Sequence, residues 1–255
     1  MSTLVITTFS EDGYHLYGKR MVDTWCRHWP QDYTLRLYVE HNLTVDDPRV
    51  EVVNLHDCSP SLVKFKNSSY SLAEQTQDKK KRNKILKTVK WCHKVYAMAH
   101  ALESNHDYLI FLDGDTYSRT TVPGGQLESL VGSNLFAVHF EHLQGMPHYE
   151  TGLIIFNKRH SQIQDLKDNI TSAYDTGEIF KLPKSWDGFW IAELHKRRNY
   201  QVLDLAGGHR TGVFTNEKVR GILAHDAGKK KYQGTNYNKY TGKTKQKGKH
   251  GVPST

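Results

Sequence analysis

Apolar residues in the first half of the chain follow two alternating periods. "TLVITTF" (residues 3–9) is β-branched and apolar and gives way to "SEDG", which predicts a strand and a turn. "YGKRMVDTWCRHW" (17–29) spaces Met21, Val22, Trp25 and Trp29 at helical intervals, and Pro30 closes it. "TLRLYVE" (34–40) and "VEVVNL" (50–55) predict two further strands. Residues 56–78 are polar and serine-rich and predict a mobile loop extending to about 84. "ILKTVKWCHKVYAMAHALES" (85–104) is the clearest helix, with Ile85, Val89, Val95, Met98, Ala99 and Leu102 near one stripe. "YLIFLD" (108–113) is a continuous apolar run, as in strands buried on both faces of a parallel sheet.

The second half is less regular. "LFAVHFE" (135–141) and "GLIIFN" (152–157) read as strands, and residues 160–177 as an exposed helix. "DGFWIAELHKRRN" (187–199) reads as an amphipathic helix, with short strands at 200–205 and 221–226. Strands alternating with helices predict an α/β domain with a Rossmann-like, mixed but mostly parallel sheet flanked by helices. Ligands of such sheets sit beyond the carboxyl ends of the strands. No internal repeat is visible, so a solenoid is excluded.

Composition refines the picture. At 255 residues the chain is expected to form a single domain over 1–232, followed by a basic, flexible tail over 233–255. No apolar run reaches the roughly 18 residues of a membrane span. The first residues, "MSTLVITTFSEDGY", do not read as a secretory leader, and Cys26, Cys58 and Cys92 share no metal-ligand spacing. Together these predict reduced thiols in a cytoplasmic protein (the host cytoplasm if the chain is phage-encoded).

The formal charge of +8 is unevenly placed. Residues 229–255 carry eight lysines and no acid, which leaves 1–228 close to neutral. The block "KKKRNKILKTVKWCHK" (79–94) carries eight more basic residues and no acid. Such blocks suit polyanions, whether nucleic acid, an anionic lipid surface or a nucleotide's phosphates; they equally suit a solvated helix face and a loose tail.

The chemistry is concentrated in "FLDGDTY", where Asp113 and Asp115 flank Gly114 at the end of the 108–113 strand. Alone, the acidic pair fits either a solvated turn or a cation site. Hard divalent cations favour oxygen ligands, commonly one or two carboxylates plus substrate phosphates, and glycine permits a tight turn and close approach of a ligand.

"FLDGDTY" resembles the Asp-x-Asp motif of nucleotide-sugar-dependent glycosyltransferases with the GT-A fold. "HDAGKKK" (225–231) resembles the His-x-x-Gly-x-x-Lys ending of glycosyltransferase family 8, the glycogenin and galactosyltransferase group. The resemblance implies Asp113, Asp115 and His225 as metal ligands, with Gly228 and Lys231 at the donor diphosphate, and Gly114 and Asp113 are further candidates for contact with the donor. That family usually continues with Pro-Trp, whereas Tyr232 follows here. An imidazole ligand suits Mn²⁺ better than Mg²⁺. Weaker matches extend the likeness from residue 3 to about 232. Thr7, Thr8, Phe9 and Tyr14 occupy the segment that holds base and ribose. Thr151 and Gly152, in "HYETGLIIFN" (148–157), occupy a turn lining the sugar pocket. Asp187, in "SWDGFWIAEL" (185–194), matches an acidic residue at the donor sugar hydroxyls, and Lys94 matches a basic residue near the donor phosphates.

These likenesses imply a hexosyltransferase using a UDP-sugar and Mn²⁺ or Mg²⁺. Asp187 and Glu150 are the candidate catalytic carboxylates at the sugar, either as general base or for positioning, and family 8 implies retention. The acceptor is left open between a glycan or lipid-linked glycan and a hydroxymethylated base of phage-type DNA, with tyrosines 232, 237 and 240 among the tail lysines able to stack on bases. Two other classes fit parts of the sequence: a non-catalytic, basic nucleic-acid-binding α/β protein and a metal-dependent nucleotidyltransferase.

Overall fold

The computed structural model describes residues 1–143, 146–205 and 212–226, with the backbone of 237–238 and 243–244. In chain order the first half comprises β1 (Thr3–Thr8), α1 (Glu11–Gly13), α2 (Lys19–His28), β2 (Thr34–Val39) and β3 (Val50–Asn54). α3 (Leu55–Cys58), α4 (Pro60–Gln75), α5 (Lys79–Leu102), β4 (Tyr108–Leu112) and β5 (Thr116–Ser118) follow. The second half comprises β6 (Phe136–Leu143), β7 (Met146–Asn157), α6 (Ile163–Asn169), α7 (Ser172–Asp175) and α8 (Asp187–Arg198). β8 (Val202–Asp204), α9 (Glu217–Arg220) and β9 (Leu223–His225) complete it.

Seven strands form one sheet in the order β3-β2-β1-β4-β7-β6-β8. Six run the same way, and β7 opposes its neighbours β4 and β6. The expected mixed, mostly parallel sheet is therefore present. Side chains alternate across it. Leu4, Ile6, Leu109 and Phe111 enter the core under α4, α5 and α8, while Val5, Leu35, Leu37, Ile110 and Leu112 face α2 through Met21, Val22 and Trp25. The chain leaves β1 in one direction toward β2 and later returns to β4 on its other side. The crevice beyond the carboxyl ends of β1 and β4 is thus the switch point at which such sheets bind ligands.

Three expectations need correction. Most of 56–84 is helical. Pro60 opens α4, and Leu62, Phe65, Ser69 and Ala73 form its buried stripe. Small or polar members at two of those positions hide the period from sequence. α5 likewise begins at Lys79, because the Asp78 carboxylate accepts the N–H groups of Lys80 (2.7 Å) and Lys81 (3.2 Å). The segment 160–177 is not one exposed helix. It breaks into α6 and α7, with Leu166, Ile170, Ala173 and Tyr174 buried, and the freed Ile170 carbonyl accepts the Trp190 indole N–H at 2.6 Å. The 221–226 strand does not join the main sheet. It pairs antiparallel with β5.

Glu40, just past β2, fastens this helical layer. Its Oε1 lies 2.7 Å from Lys66 Nζ, 2.8 Å from His56 Nε2 and 2.6 Å from His93 Nε2, which gathers α3, α4 and α5. Burial opposes ionisation of Glu40, but hydrogen bonds from His93 and Lys66 hold its carboxyl down at about 2. A depressed carboxylate contributes stability above its ordinary pKa of 4.5 that is lost as pH falls through about 2. Glu40→Gln is expected to cost about 1–2 kcal/mol at pH 7, discounted for partial exposure. In thermal melts at a series of pH values, the gap to the parent should close between pH 4.5 and 2. A constant gap would show that Glu40 acts by packing alone.

Candidate active site

β4 delivers Asp113 to the crevice. The Asp113 N–H donates to the Gly152 carbonyl (3.0 Å), and the Thr116 N–H returns to the Asp113 carbonyl (2.9 Å), closing a tight turn into β5. Gly114 sits at the bend for want of room. A Cβ there would lie 3.0 Å from Phe9 Cδ1, 3.2 Å from the Thr8 carbonyl and 3.3 Å from Tyr17 Cε2. The turn therefore rests directly on the end of β1.

β9 supplies the remote member. In the β5–β9 pair Thr116 is opposite His225, so the register sets the imidazole beside the residue preceding Thr116. His225 Nε2 lies 3.4 Å from Asp115 Oδ1, and one donor atom each from Asp113, Asp115 and His225 lie within 4.8 Å of one another. The Phe214 ring leans on the imidazole at 5.0 Å, and Asp226 beyond it pairs with Arg20, whose guanidinium covers the Tyr117 ring at 3.8 Å. Burial alone would lower the pKa of His225, but its hydrogen bond with Asp115 and the charges of Asp115, Asp113 and Glu150 raise it. For Asp113, burial raises the pKa, Asp115 adds to the rise, and Lys94 opposes it. Two carboxylates and an imidazole in this compass form a donor set fit for a divalent cation of the Mn²⁺ class.

On the other side of Asp113 stands Lys94 of α5, 2.5 Å from Asp113 Oδ1 and 3.5 Å from Asp187 Oδ2. Burial works against its charge, yet Asp113 and Asp187 raise its pKa, so it stays protonated. Thr151 Oγ1 donates to Asp187 Oδ2, joining β7 to the first turn of α8. The expected donor-side residues Asp113, Asp115, His225, Lys94, Asp187, Thr151 and Gly152 are thus brought into one continuous cluster. The basic block does not act as one face: Lys94 serves the cluster, and Lys84 donates to the carbonyls of Phe180 (3.1 Å) and Leu182 (2.8 Å).

The sheet contributes an irregularity here. Val138 of β6 is opposite Ile154 of β7, but the next residue, His139, is opposite Glu150. Residues 151–153 therefore have no partner on β6, which turns Thr151 and Gly152 toward the crevice; bulges beside sites often re-aim side chains in this way. Gly152 leaves space for the Phe214 ring, since a Cβ there would lie 3.1 Å from its Cε2. Glu150 is placed differently from Asp187. Its Oε2 accepts the Val213 N–H at 2.9 Å and so anchors the segment leading to Phe214.

Of the four residues expected at the base and ribose, Thr7 is buried in β1 and Phe9 packs beneath the Gly114 turn, against Tyr14 at 5.5 Å. Thr8 and Tyr14 remain partly exposed at the strand end. Tyr14 opens a π turn over Tyr14–Gly18, whose last C=O···H–N link runs from Tyr14 to Lys19. Gly228, Lys231 and most of the lysine-rich tail lie outside the described residues.

Sequence reasoning missed Phe214, Gly188 and His139. Gly188 carried a signal. A poor helix former in the first turn of an amphipathic helix marks a close approach, and a Cβ there would lie 2.0 Å from the Tyr149 carbonyl oxygen. Phe214 and His139 carried no local signal.

No protein-family model and no curated protein matches the sequence. Among solved structures, the chain is similar to apo mouse xyloside xylosyltransferase 1, at 10% identity over 80% of this chain and 85% of that one, with a TM-score of 0.47. It is also similar to the glycosyltransferase GlyE of Streptococcus pneumoniae TIGR4, at 11% identity over 82% and 46% of the two chains and a TM-score of 0.47. A third similarity is to the apo form of the bifunctional glycosyltransferase WbbM, at 14% identity over 89% and 46% and a TM-score of 0.46. The chain spans under half the length of the GlyE and WbbM chains. At such identities and scores a functional reading has to rest on the site itself.

Proposed function

We propose that this chain is a metal-dependent glycosyltransferase of the GT-A type, moving a sugar from a nucleoside diphosphate to an acceptor hydroxyl. One observation carries the reading: Asp113, Asp115 and His225, from segments more than a hundred residues apart, meet within 4.8 Å at the switch point of the sheet. A solvated turn gives no reason for the imidazole to be there. A divalent cation held by these three supplies Lewis-acid stabilisation to a departing diphosphate. Mn²⁺ suits the mixed nitrogen and oxygen donors, and a UDP-sugar is the donor that the family 8 likeness implies.

Around that centre the chain's own groups divide the work. The Lys94 ammonium neutralises charge beside Asp113, where donor phosphates would lie, and Gly228 and Lys231 take the corresponding places in the His-x-x-Gly-x-x-Lys motif. Thr8 and Tyr14 border the nucleoside end, with Thr7 and Phe9 shaping the floor. Asp187, oriented by Thr151 and Lys94, faces the sugar; Glu150 stands on the other flank, near His225. Asp187 therefore positions donor hydroxyls, and retention is what the family 8 likeness implies.

The acceptor is a hydroxyl-bearing glycan in this reading, and the lysine-rich tail draws in a polyanionic one. The test is thermal melting of the full chain with Mn²⁺, with UDP and UDP-sugars, and with both together. The expected result is a rise of several degrees only when metal and nucleotide are combined, followed by sugar transfer to a glycan detected by mass spectrometry. A chain indifferent to every nucleotide would overturn the proposal, and turnover of nucleoside triphosphates without a sugar would replace it with a nucleotidyltransferase.

A further inference from the structure

A second group of metal-ligating side chains lies beyond the first, on the same stretch of β6 and β7. His139 is fully buried, and among the described residues neither ring nitrogen has a hydrogen-bond partner. Leaving both nitrogens of a buried imidazole unmatched is costly, and such a group generally marks an unseen partner.

The surroundings indicate what that partner is. His139 Nε2 stands 4.0 Å from Glu141 Oε1 and 4.0 Å from Glu150 Oε2, and one donor atom from each residue lies within 4.8 Å of the others. These gaps are too long for hydrogen bonds. They exceed by only about half an ångström the roughly 3.3–3.6 Å that separates tetrahedral ligands bound at about 2.0–2.2 Å. The irregularity in β7 creates the arrangement, because it puts Glu150 opposite His139 in place of Leu153.

The outer contacts are those a metal site uses. His148, itself buried, holds the other Glu141 oxygen with Nε2 at 2.8 Å from Oε2. The Val213 N–H holds Glu150. Asp204 Oδ1 lies 4.0 Å from His139 Nδ1 and is itself fixed by the Phe140 N–H at 3.0 Å. At 4.0 Å this carboxylate is also beyond hydrogen-bond reach, but one that closes onto the far nitrogen of a histidine when a metal takes the near one orients the ring and raises its basicity. Among the described residues no lysine or arginine pairs with Glu141 or Glu150, so no permanently charged side chain there neutralises the two carboxylates.

We infer that His139, Glu141 and Glu150 form a second divalent-cation site, with His139 bound through Nε2 and Asp204 as its outer-sphere partner. One imidazole and two carboxylates repeat the donor set of the first site, and nitrogen and oxygen ligands of this kind also serve zinc. The class of ion assigned is therefore a divalent transition metal, with Zn²⁺, which such donors bind more tightly than Mn²⁺, as the probe. The inference does not depend on the glycosyltransferase reading. It shares only Glu150 with the groups named there, and gives that residue a fixed place as a ligand.

The experiment uses the metal-stripped full chain and Zn²⁺ alone, counting bound metal by equilibrium dialysis and elemental analysis. Asp115→Ala, which cripples the first site, should still retain one tightly bound Zn²⁺. Adding Glu141→Gln, at a partly exposed position where folding is safe, should weaken that ion at least about 10-fold, and Asp204→Asn should weaken it about 10–100-fold. X-ray absorption of the Asp115→Ala chain should show a single histidine among light-atom ligands. Equal Zn²⁺ affinity with and without Glu141→Gln, in chains with matching circular dichroism, would overturn the inference, as would loss of all tight Zn²⁺ in Asp115→Ala alone.

Discussion

Asp115→Ala is expected to abolish the combined effect of metal and nucleotide on melting and to lower sugar transfer by about 10³-fold or more. The size follows from removing several kcal/mol of Lewis-acid stabilisation, each 1.36 kcal/mol being tenfold in rate. Asp115 is the pivot of the cluster: it is 3% exposed, contacts His225 at 3.4 Å and precedes the strand that pairs with β9. Alanine removes the ligand and also a negative charge that raises the pKa of His225. Asp115→Asn loses the anionic ligand and its charge together but keeps the shape of the side chain, so it separates both effects from packing. Both variants should keep the parent's circular dichroism and fail with every divalent metal tested. Activity within tenfold of the parent in Asp115→Asn would show that the acidic pair does not hold the working cation.

Gly188→Ala is expected to be among the most damaging single-methyl additions to the molecule. The new Cβ would lie 2.0 Å from the Tyr149 carbonyl oxygen and 3.1 Å from its carbon, and both obstacles are main chain. Tyr149 is fixed in β7 opposite Phe140, so relief must come from lifting the first turn of α8 off the sheet. Overpacking of a side chain costs about 1–3 kcal/mol, and a backbone obstacle exceeds that range. A loss of at least about 3 kcal/mol corresponds to roughly 6–12 °C in Tm for a domain of this size. Asp187 immediately precedes the glycine, so its contacts with Thr151 and Lys94 loosen with the same movement. Melting within about 2 °C of the parent would mean that α8 does not press on β7 as described.

What could be read from the sequence was local or carried by short spacing. β1, β2, β3 and β4 announced themselves through continuous β-branched and apolar runs, and the Asp-Gly-Asp turn followed from its place at a strand end. His225 could be linked to that turn only by resemblance to a known motif, because no period or spacing in a chain predicts that residues 115 and 225 touch. The α4 helix was hidden because Ser69 and Ala73 stand where an apolar stripe would normally show larger residues. The length of β7 was hidden because its irregularity interrupts the period after Glu150. His139, inside "LFAVHFE", looks like any polar residue on a strand; only its burial beside three carboxylates sets it apart. The Glu40 fastening likewise joins four residues from separate elements. α4 and the full length of β7 were thus lost to local breaks in the period, whereas the His139 and Glu40 clusters are contacts made at long range, where hydrophobic period carries no information.

The short β5–β9 ribbon also bears on the order in which the molecule matures. Every strand of the main sheet has left the ribosome before residue 223 does, so the sheet can assemble while its crevice holds Asp113 and Asp115 without His225. Competence to grip a nucleotide would then arrive as a late event in synthesis, when a three-residue strand finds its place beside residues 116–118. A chain cut short ahead of that strand would be a well-built scaffold with nothing to complete its ring of ligands.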